Sequence, residues 1–507
     1  MTVAGSARLS RQTLAALDTR HLAPAVRRPA VDPGAVGIGI VHLGLGAFHR
    51  AHQAVFTEDA AAATGELGWG ILGVTQRSAR VVEQLAPQDG LYGVLTKGTD
   101  ETSLRLVGSL RGVAFPGTDT ARVLEAIAAP TTHVVTLTVT EKGYRRAADG
   151  GPDLADPDLA ADLDSLAAEL RSGSPEAPPA RSPLGLLLRG LATRRQRDSG
   201  PLTVVCCDNL AENGAVLARL VGATLDTVPG GDALRGWIES SVRFPGTMVD
   251  RIVPATTDAH RDEARALLGL ADAGLVVGEP FTQWVIEDAF AGPRPAWERA
   301  GATLTGDVAP YERAKLRVLN ASHSTLAYLG ALRGYATIAQ AVADPDLSAA
   351  VRALVDDDVL PTLVAPDGLD LPAYRDDVLA RFANPNTGHT TVQVAMDGSQ
   401  KLPQRLLGTV RDRLAAGSVP TAAATTVAAW IAYVRATTQG ELEVDGRRIT
   451  LDDPLAPALA AAAAGPLDTL ADRMLDVRAV FGEDLRDSTA FRSAVRSAVA
   501  ALVPSRV

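Results

Sequence analysis

The stretch Gly37–His52, GIGIVHLGLGAFHRAH, runs an apolar segment into a turn that contains two glycines. Gly37 to Leu43 reads as a buried strand, because a short apolar run that stops at a turn signal suits the interior of a parallel sheet. Gly44 and Gly46 let the chain turn tightly and bring its backbone close to a pyrophosphate, as in a dinucleotide-binding βα unit. The third position of that fingerprint holds His49 instead of glycine. Taken alone the pattern is therefore weak, and a purely structural turn accounts for it equally well. Its surroundings add weight. A helical stretch follows, and a second strand, Trp69 to Val74, begins about 25 to 30 residues on, which is βαβ spacing.

Outward from this unit, strand-like runs such as HVVTLTV and PLTVVCC alternate with alanine-rich helical stretches. That alternation is the α/β signature. From about residue 285 strand signals thin, and helical stretches such as YLGALRGYATIAQAVA and VAAWIAYVRA take over. With 507 residues and 52.7 kDa, two sizeable cores are expected. The sequence thus predicts an α/β fold: a Rossmann-type dinucleotide-binding domain with an N-terminal arm over residues 1–284, and a mainly α-helical substrate and catalytic domain over 285–507. The active site is expected in the cleft between them. Residues 1–35, whose most basic part RQTLAALDTRHLAPAVRR reads as a packing arm, are expected to be dispensable for chemistry. The same holds for Arg145 to Pro183, which reads as a surface loop and helix insertion.

A second informative stretch, PYERAKLRVLNASHSTLAYLG from Pro310 to Gly330, places Lys315, Asn320 and His323 on one helix. At roughly 100° per residue they fall within an arc of about 140°, with Glu312 inside it. Lysine, asparagine and histidine suit a ketone being reduced or a secondary alcohol being oxidised, which needs a proton carrier and neutral donors at its oxygen. A solvated face carrying a Glu312–Lys315 ion pair is the plainer alternative. The apolar residues Val318, Leu319, Leu326 and Tyr328 argue for burial, and buried polar groups need a reason. A lysine working as a base near neutral pH must move from about 10.4 toward roughly 7 to 8, as desolvation would achieve. Tyr311 and Lys315 also spell Y-x-x-x-K, the pair of short-chain dehydrogenases, but the glycine pattern and the distance from it differ from that class.

The segments VHLGLGAFHRAHQAVF, GWGILGV, QDGLY, TLTVTEKGY, CCDNLAENG, FPGTMVDRIVPATT, EPFTQWVIED, the Lys-Asn-His helix and MDGSQKLPQRLL occur in this order over about residues 36–410. In them the chain resembles the polyol-specific long-chain dehydrogenase/reductase family, which includes mannitol 2-dehydrogenases and fructuronate reductases. The resemblance implies a metal-independent oxidoreductase with Lys315 as general acid/base and with Asn209 and Asn320 as the oxyanion-stabilising pair. It implies that His323 orients the substrate and that Asp250 and Lys401 hold substrate oxygens. Gly44, Gly46 and Phe48 are implied at the cofactor, and His49 and Arg50 are expected beside them. TEKGY and VAMDGSQKLPQRLL look like fructuronate reductases. Mannitol dehydrogenases usually show TEGGY and an arginine where this chain has Gln393. A carboxylate substrate needs compensating cations, for which Lys142, Lys401 and Arg405 are the candidates. The departure is NPNTGH, where Gly388 stands in place of a basic residue common in fructuronate reductases. D-fructuronate to D-mannonate is the leading expectation, with a mannitol 2-dehydrogenase-like polyol reaction as the alternative.

NAD is the expected cofactor from the resemblance. The usual marker, a carboxylate at the end of the second strand, is missing from Thr75 to Arg80. Arg77 or Arg80 could take a 2′-phosphate, so NADP stays open. No metal is expected: Cys206 and Cys207 are adjacent on a strand, where side chains alternate sides, and the histidines show no H-x-x-x-H or H-E-x-x-H spacing. A net charge of −10 argues against nucleic acid as a partner. No run of about 20 apolar residues or export signal is seen, so a cytoplasmic protein that spans no membrane is expected. The expected partner is a small sugar acid or polyol. Family members include monomers, so no oligomer is inferred. A cofactor-binding protein without catalysis is the rival from another class, against which the spaced Lys315, Asn320, Asn209 and His323 speak.

Overall fold

The computed structural model describes residues 7–17, 22–147, 149–174 and 178–503. The chain divides into two units, Met1–Val308 and Ala309–Val507.

The first unit is built on a six-stranded sheet: β1 (Ile38–Leu43), β2 (Gly70–Val74), β3 (Leu110–Ala114), β4 (Val134–Leu137), β5 (Leu202–Cys206) and β6 (Val242–Arg243). Their spatial order is β3-β2-β1-β4-β5-β6 and every pairing is parallel. This is the doubly wound order of dinucleotide-binding folds, in which strand order reverses between β1 and β4 and leaves a crevice at their carboxyl ends. The central strands are buried along almost their whole length, which is why they read as continuous apolar runs instead of alternating ones.

A second small sheet contains β7 (Thr247–Asp250), β8 (Gln283–Glu287) and β9 (Thr303–Thr305), with β8 antiparallel to β7 and parallel to β9. The expected boundary between residues 284 and 285 would cut β8 in two. The first unit instead runs to Val308. The shift arises because β9 is only three residues long, too short to leave a periodic signal.

The insertion expected on the surface also differs. Its helix, Pro157–Ser172, buries Leu159, Leu163 and Leu166 in the same apolar cluster as β1, β2 and β4. Their spacing of four and three is that of a core-facing helix stripe. The buried Glu169 of this helix pairs with buried Arg189 at 2.8 Å. Residues 1–6 and 18–21 of the N-terminal arm, and residues 148 and 175–177 of the insertion, lie outside the described residues.

The second unit is mainly helical. The predicted helix is continuous but not uniform: α2 (Ala309–Ala314) passes into a π-helical turn, Lys315–Asn320, and then into α3 (Ala321–Leu332). Helix α4 (Gly398–Leu402) likewise leads into a π-turn, Pro403–Leu407. The alanine-rich α5 (Thr421–Thr438) packs against α3 and against α6 (Thr489–Leu502). Small residues along α5 allow this close approach around Trp430, Tyr328 and Tyr433. Among the described residues no helix is long and apolar enough to cross a membrane.

Candidate functional site

In the first unit the site begins where β1 ends. Gly44 has φ of +100°, and a Cβ there would lie 2.1 Å from the Thr138 carbonyl oxygen just past β4. Only glycine tolerates both conditions. The Gly44 and Leu45 amides donate to the Val74 carbonyl at 2.8 and 2.9 Å, tying the turn to the end of β2. Gly46 starts α1 (Ala47–Ala51) and is different: the nearest atom to a Cβ there is 3.7 Å away. Its missing side chain leaves open space at the crevice, as close approach of a pyrophosphate requires.

Behind the turn lies a buried histidine pair. The His42 and His49 rings stack with centroids 3.4 Å apart and planes 11° from parallel. Thr138 Oγ1 donates to the Gly44 carbonyl at 3.0 Å, so His42 Nε2 must donate to Thr138 Oγ1 (3.0 Å). Burial pushes the His42 pKa down to about 3, so the ring is neutral and Nδ1 accepts from Thr136 Oγ1 at 2.8 Å. His49 is held well below its ordinary value by burial and by its neighbour His42.

The other two residues expected at the cofactor lie beneath the turn. His49 is 1% exposed and flat against His42. Arg50 also turns inward: its Nε donates to the Gly46 carbonyl at 3.1 Å, its Nη1 to the Gly274 carbonyl at 2.5 Å, and its guanidinium lies 5.8 Å from the Tyr92 ring centroid. Both lie on the inner side of α1, where polar side chains serve the turn from beneath. Phe48 is half-buried and stacks on His52 at 5.0 Å.

At the ends of β4 and β5 two of the sequence blocks are clasped together by a residue the sequence reading passed over. The Asp208 carboxylate accepts from the Val139 and Thr140 amides at 3.0 and 2.8 Å and from the Tyr144 hydroxyl at 2.6 Å. Burial raises its pKa, and these donors pull the other way. Thr140 sits at φ of +69°, an unusual conformation for a β-branched residue, and the clasp holds it there. Asn209, next in the chain, is exposed, as is Lys142. Asp250 ends β7 and is buried. Arg77 and Arg80 are exposed after β2.

In the second unit Lys315 and Asn320 are 8% and 7% exposed. The π-turn between them fits more residues into each turn than an α-helix does, so Asn320 lags Lys315 by less than α geometry gives. π-Turns of this kind concentrate at functional sites. Tyr311 is set apart, because its hydroxyl donates to the Asp367 carbonyl at 2.6 Å.

A cavity of about 260 Å³ is lined by His323, His389, Gln393, Val394, Lys401 and Arg405. Lys401 Nζ donates to the Val394 carbonyl at 3.2 Å, and Arg405 Nη1 to Ser324 Oγ at 3.1 Å. Burial and the Arg405 charge lower the Lys401 pKa to about 8. His323 stacks between Phe382 (4.7 Å) and His389 (5.3 Å), and burial with the nearby His389, Arg405 and Lys401 keeps it neutral. The GSQK block is placed by packing: a Cβ on Gly398 would meet Trp430 Nε1 at 2.3 Å, and Ser399 is anchored on Asp453 by its amide (2.8 Å) and hydroxyl (2.5 Å). The structure therefore brings His323, Lys401 and Arg405 together around one cavity.

The family model described as Mannitol dehydrogenase Rossmann domain matches residues 38–299, and the one described as Mannitol dehydrogenase C-terminal domain matches residues 307–503. The chain belongs to the mannitol dehydrogenase family. It is an oxidoreductase with a Rossmann-type first unit and a helical second unit. Among mannitol dehydrogenase family relatives, the D-mannonate oxidoreductase of Escherichia coli K12 is 42% identical over 93% of this chain and 95% of its own. The mannitol 2-dehydrogenase of Cereibacter sphaeroides is 38% identical over 83% of this chain and 86% of its own. The solved Pseudomonas fluorescens mannitol 2-dehydrogenase, a ternary complex with NAD and D-mannitol, superposes with a TM-score of 0.81 at 35% identity, over 98% of this chain and 96% of that one.

Proposed function

We propose that the protein interconverts a keto-sugar acid and its sugar acid with NAD(H), reduction of D-fructuronate to D-mannonate being the leading case. The observation that carries this is the cavity at His323, where Lys401 and Arg405 supply two cations. Carboxylates are met by such charge-assisted donors. The similarity to a D-mannonate oxidoreductase supports the same choice.

The first unit suits a dinucleotide: its strand order leaves a crevice at Gly44, whose conformation demands glycine, and at Gly46, beside which space is open. NAD is favoured by the NAD complex of the Pseudomonas relative, although Arg77 and Arg80 are the residues a 2′-phosphate would meet. When bound, the cofactor supplies hydride to the carbonyl carbon. Lys315 gives a proton to the carbonyl oxygen in reduction and takes it back in the reverse direction. Asn320 and Asn209 donate amide N–H groups to that oxygen as charge develops. His323 orients the substrate, Asp250 accepts from its hydroxyls, and Lys401 and Arg405 hold its carboxylate with Lys142 as an outer cation.

A polyol or ketose reaction of the mannitol 2-dehydrogenase kind is the second reading. Gly388 favours it, because no cation stands at that point of the NPNTGH block. Steady-state rates with D-fructuronate and D-fructose, followed through reduced nicotinamide absorbance, separate the two. A higher kcat/KM for D-fructose defeats the acid-sugar proposal.

A further inference from the structure

The cavity at His323 also holds a titratable ring to which no part has been given. His389 lines it beside Lys401 and Arg405. The backbone around this residue is fixed on both sides. Asn384 closes the preceding turn, accepting from the Asn386 amide through Oδ1 at 3.0 Å and from the Thr387 hydroxyl through its carbonyl at 3.0 Å. Gly388 then turns the chain at φ of +64°, with nothing within 4 Å of where a Cβ would be. Beyond it the Ile338 amide donates to the His389 carbonyl at 3.0 Å, the Thr391 amide to the Ala336 carbonyl at 3.0 Å, and the Thr391 hydroxyl to the Tyr335 carbonyl at 2.8 Å.

The ring is packed on one face. It stacks 5.3 Å from His323, 24° from parallel, and His323 stacks in turn on Phe382. Burial and the Arg381 charge hold it neutral, so it carries one N–H donor and one acceptor nitrogen. A rigid, uncharged donor next to two cations suits an anion that needs both neutralising charge and a directed hydrogen bond. Had the position held a third cation, charge alone would bind any anion, with little to tell one oxygen from another.

We propose that His389 is a substrate-contacting, specificity-determining residue, whose ring N–H holds a carboxylate oxygen of the sugar acid while Lys401 and Arg405 meet its charge. This rests on the keto-sugar-acid function proposed above. The same stacking lets His389 set the tilt of His323, so one ring serves substrate choice and the other substrate orientation.

The test compares wild type with His389→Phe, which keeps the stacking ring and removes the N–H, and with His389→Asn, which keeps a donor and removes the stack. KM and kcat are measured for D-fructuronate and D-fructose, with Kd for NADH by fluorescence titration as the control for folding. His389→Phe is expected to raise the D-fructuronate KM by about 10-fold or more, the size of a lost charge-assisted hydrogen bond. The D-fructose KM is expected to change less than about threefold, NADH Kd to stay unchanged, and His389→Asn to recover part of the D-fructuronate loss. An unchanged D-fructuronate KM in His389→Phe, or an equal rise for both substrates, overturns the assignment of His389. A wild-type preference for D-fructose overturns the acid-sugar function by itself, before any variant is made.

Discussion

Gly44 and Gly46 stand two residues apart in one turn, yet alanine should act on them in opposite ways. At Gly44 the backbone has φ of +100°, and the new Cβ would sit 2.1 Å from the Thr138 carbonyl oxygen. The left-handed conformation costs an L-residue roughly 1 to 2 kcal/mol. Relief of the clash needs a backbone shift, because the obstacle is a carbonyl and not a flexible side chain, and overpacking of this kind costs about 1 to 3 kcal/mol more. Gly44→Ala is therefore expected to lose about 2 to 5 kcal/mol of stability. At Gly46 φ is −108° and the nearest atom to a Cβ is 3.7 Å away, an ordinary contact. Gly46→Ala should lose less than about 1 kcal/mol, mainly for a poorer helix start. Its methyl group would nonetheless occupy the space proposed for the pyrophosphate. Urea unfolding and NADH titration on the same samples read the two effects. Expected are a lowered urea midpoint for Gly44→Ala, and for Gly46→Ala a near wild-type midpoint with NADH Kd raised about 10-fold or more. Wild-type stability in Gly44→Ala would refute the steric argument, and wild-type NADH affinity in Gly46→Ala would refute the cofactor placement.

Lys401, with its pKa near 8, loses its charge as pH rises through that value; the KM of an acid substrate should climb up to about tenfold between pH 7 and 9 while that of a neutral ketose stays level, and a flat profile for the acid contradicts the proposed carboxylate contact. Because the Tyr311 hydroxyl is committed to the Asp367 carbonyl, Tyr311→Phe should cost about 1 kcal/mol of stability and leave kcat within about threefold, whereas Lys315→Ala should lower it about 10²-fold to 10⁴-fold; comparable collapse in both would sink the lysine-centred mechanism. Glu169→Leu removes the nearer carboxylate from the buried Arg189 guanidinium, which keeps Asp162 at 3.9 Å and the Pro178 carbonyl at 3.0 Å; it should cost about 1 to 3 kcal/mol in urea unfolding, and no measurable change would show the pair to be dispensable.

The parallel sheet was legible because its strands are buried on both faces and so read as apolar runs ending in turn residues, as β1 does at Gly44. The small sheet of β7, β8 and β9 was not, since strands of three to five residues carry too little pattern to separate from loop. Leu159, Leu163 and Leu166 did carry a helix stripe, but the Gly, Pro and Asp residues around them read as surface. The π-turn at Lys315 has no compositional signature, as the same residues would build a regular α-helix. For the candidate site, Lys315, Asn320 and His323 stood out by residue type and spacing, and the structure buries the first two and sets the third in a cavity. His389 did not stand out, because the ring and the cations it meets in the cavity come from other elements, His323 from α3 and Lys401 from α4, and only Gln393 and Val394 lie close to it in the chain. The inward placement of His49 and Arg50 was not legible either, because polarity inside a motif does not tell on which side of α1 a residue falls.

The third glycine of a dinucleotide fingerprint exists to let the helix pack closely on the strand, and here a flat pair of rings does that work. His49 of α1 lies 3.4 Å from His42 of β1, the spacing of stacked planes, so the helix comes near without a glycine. Among the described residues neither His49 nitrogen makes a hydrogen bond of good geometry, although the Gln53 side chain lies beside the ring, so the ring contributes chiefly a shape and its polar atoms a penalty. Replacing a buried unsatisfied polar group by an apolar one of similar shape is close to neutral or stabilising. His49→Phe is thus expected to keep or raise stability at pH 7. The sign in acid follows from linkage: both histidines have folded pKa values below the unfolded value, so the unfolded chain binds more protons as pH falls. Their contribution is whole above about pH 6.5 and is lost on the way down, for His42 toward pH 3. Removing one of the two titrating rings should flatten that loss and move the acid-unfolding midpoint to lower pH. Circular dichroism along a pH titration reads it directly. An acid midpoint equal to or above that of wild type, or a loss of more than about 3 kcal/mol at pH 7, would mean that His49 is kept for its nitrogens and not for its shape.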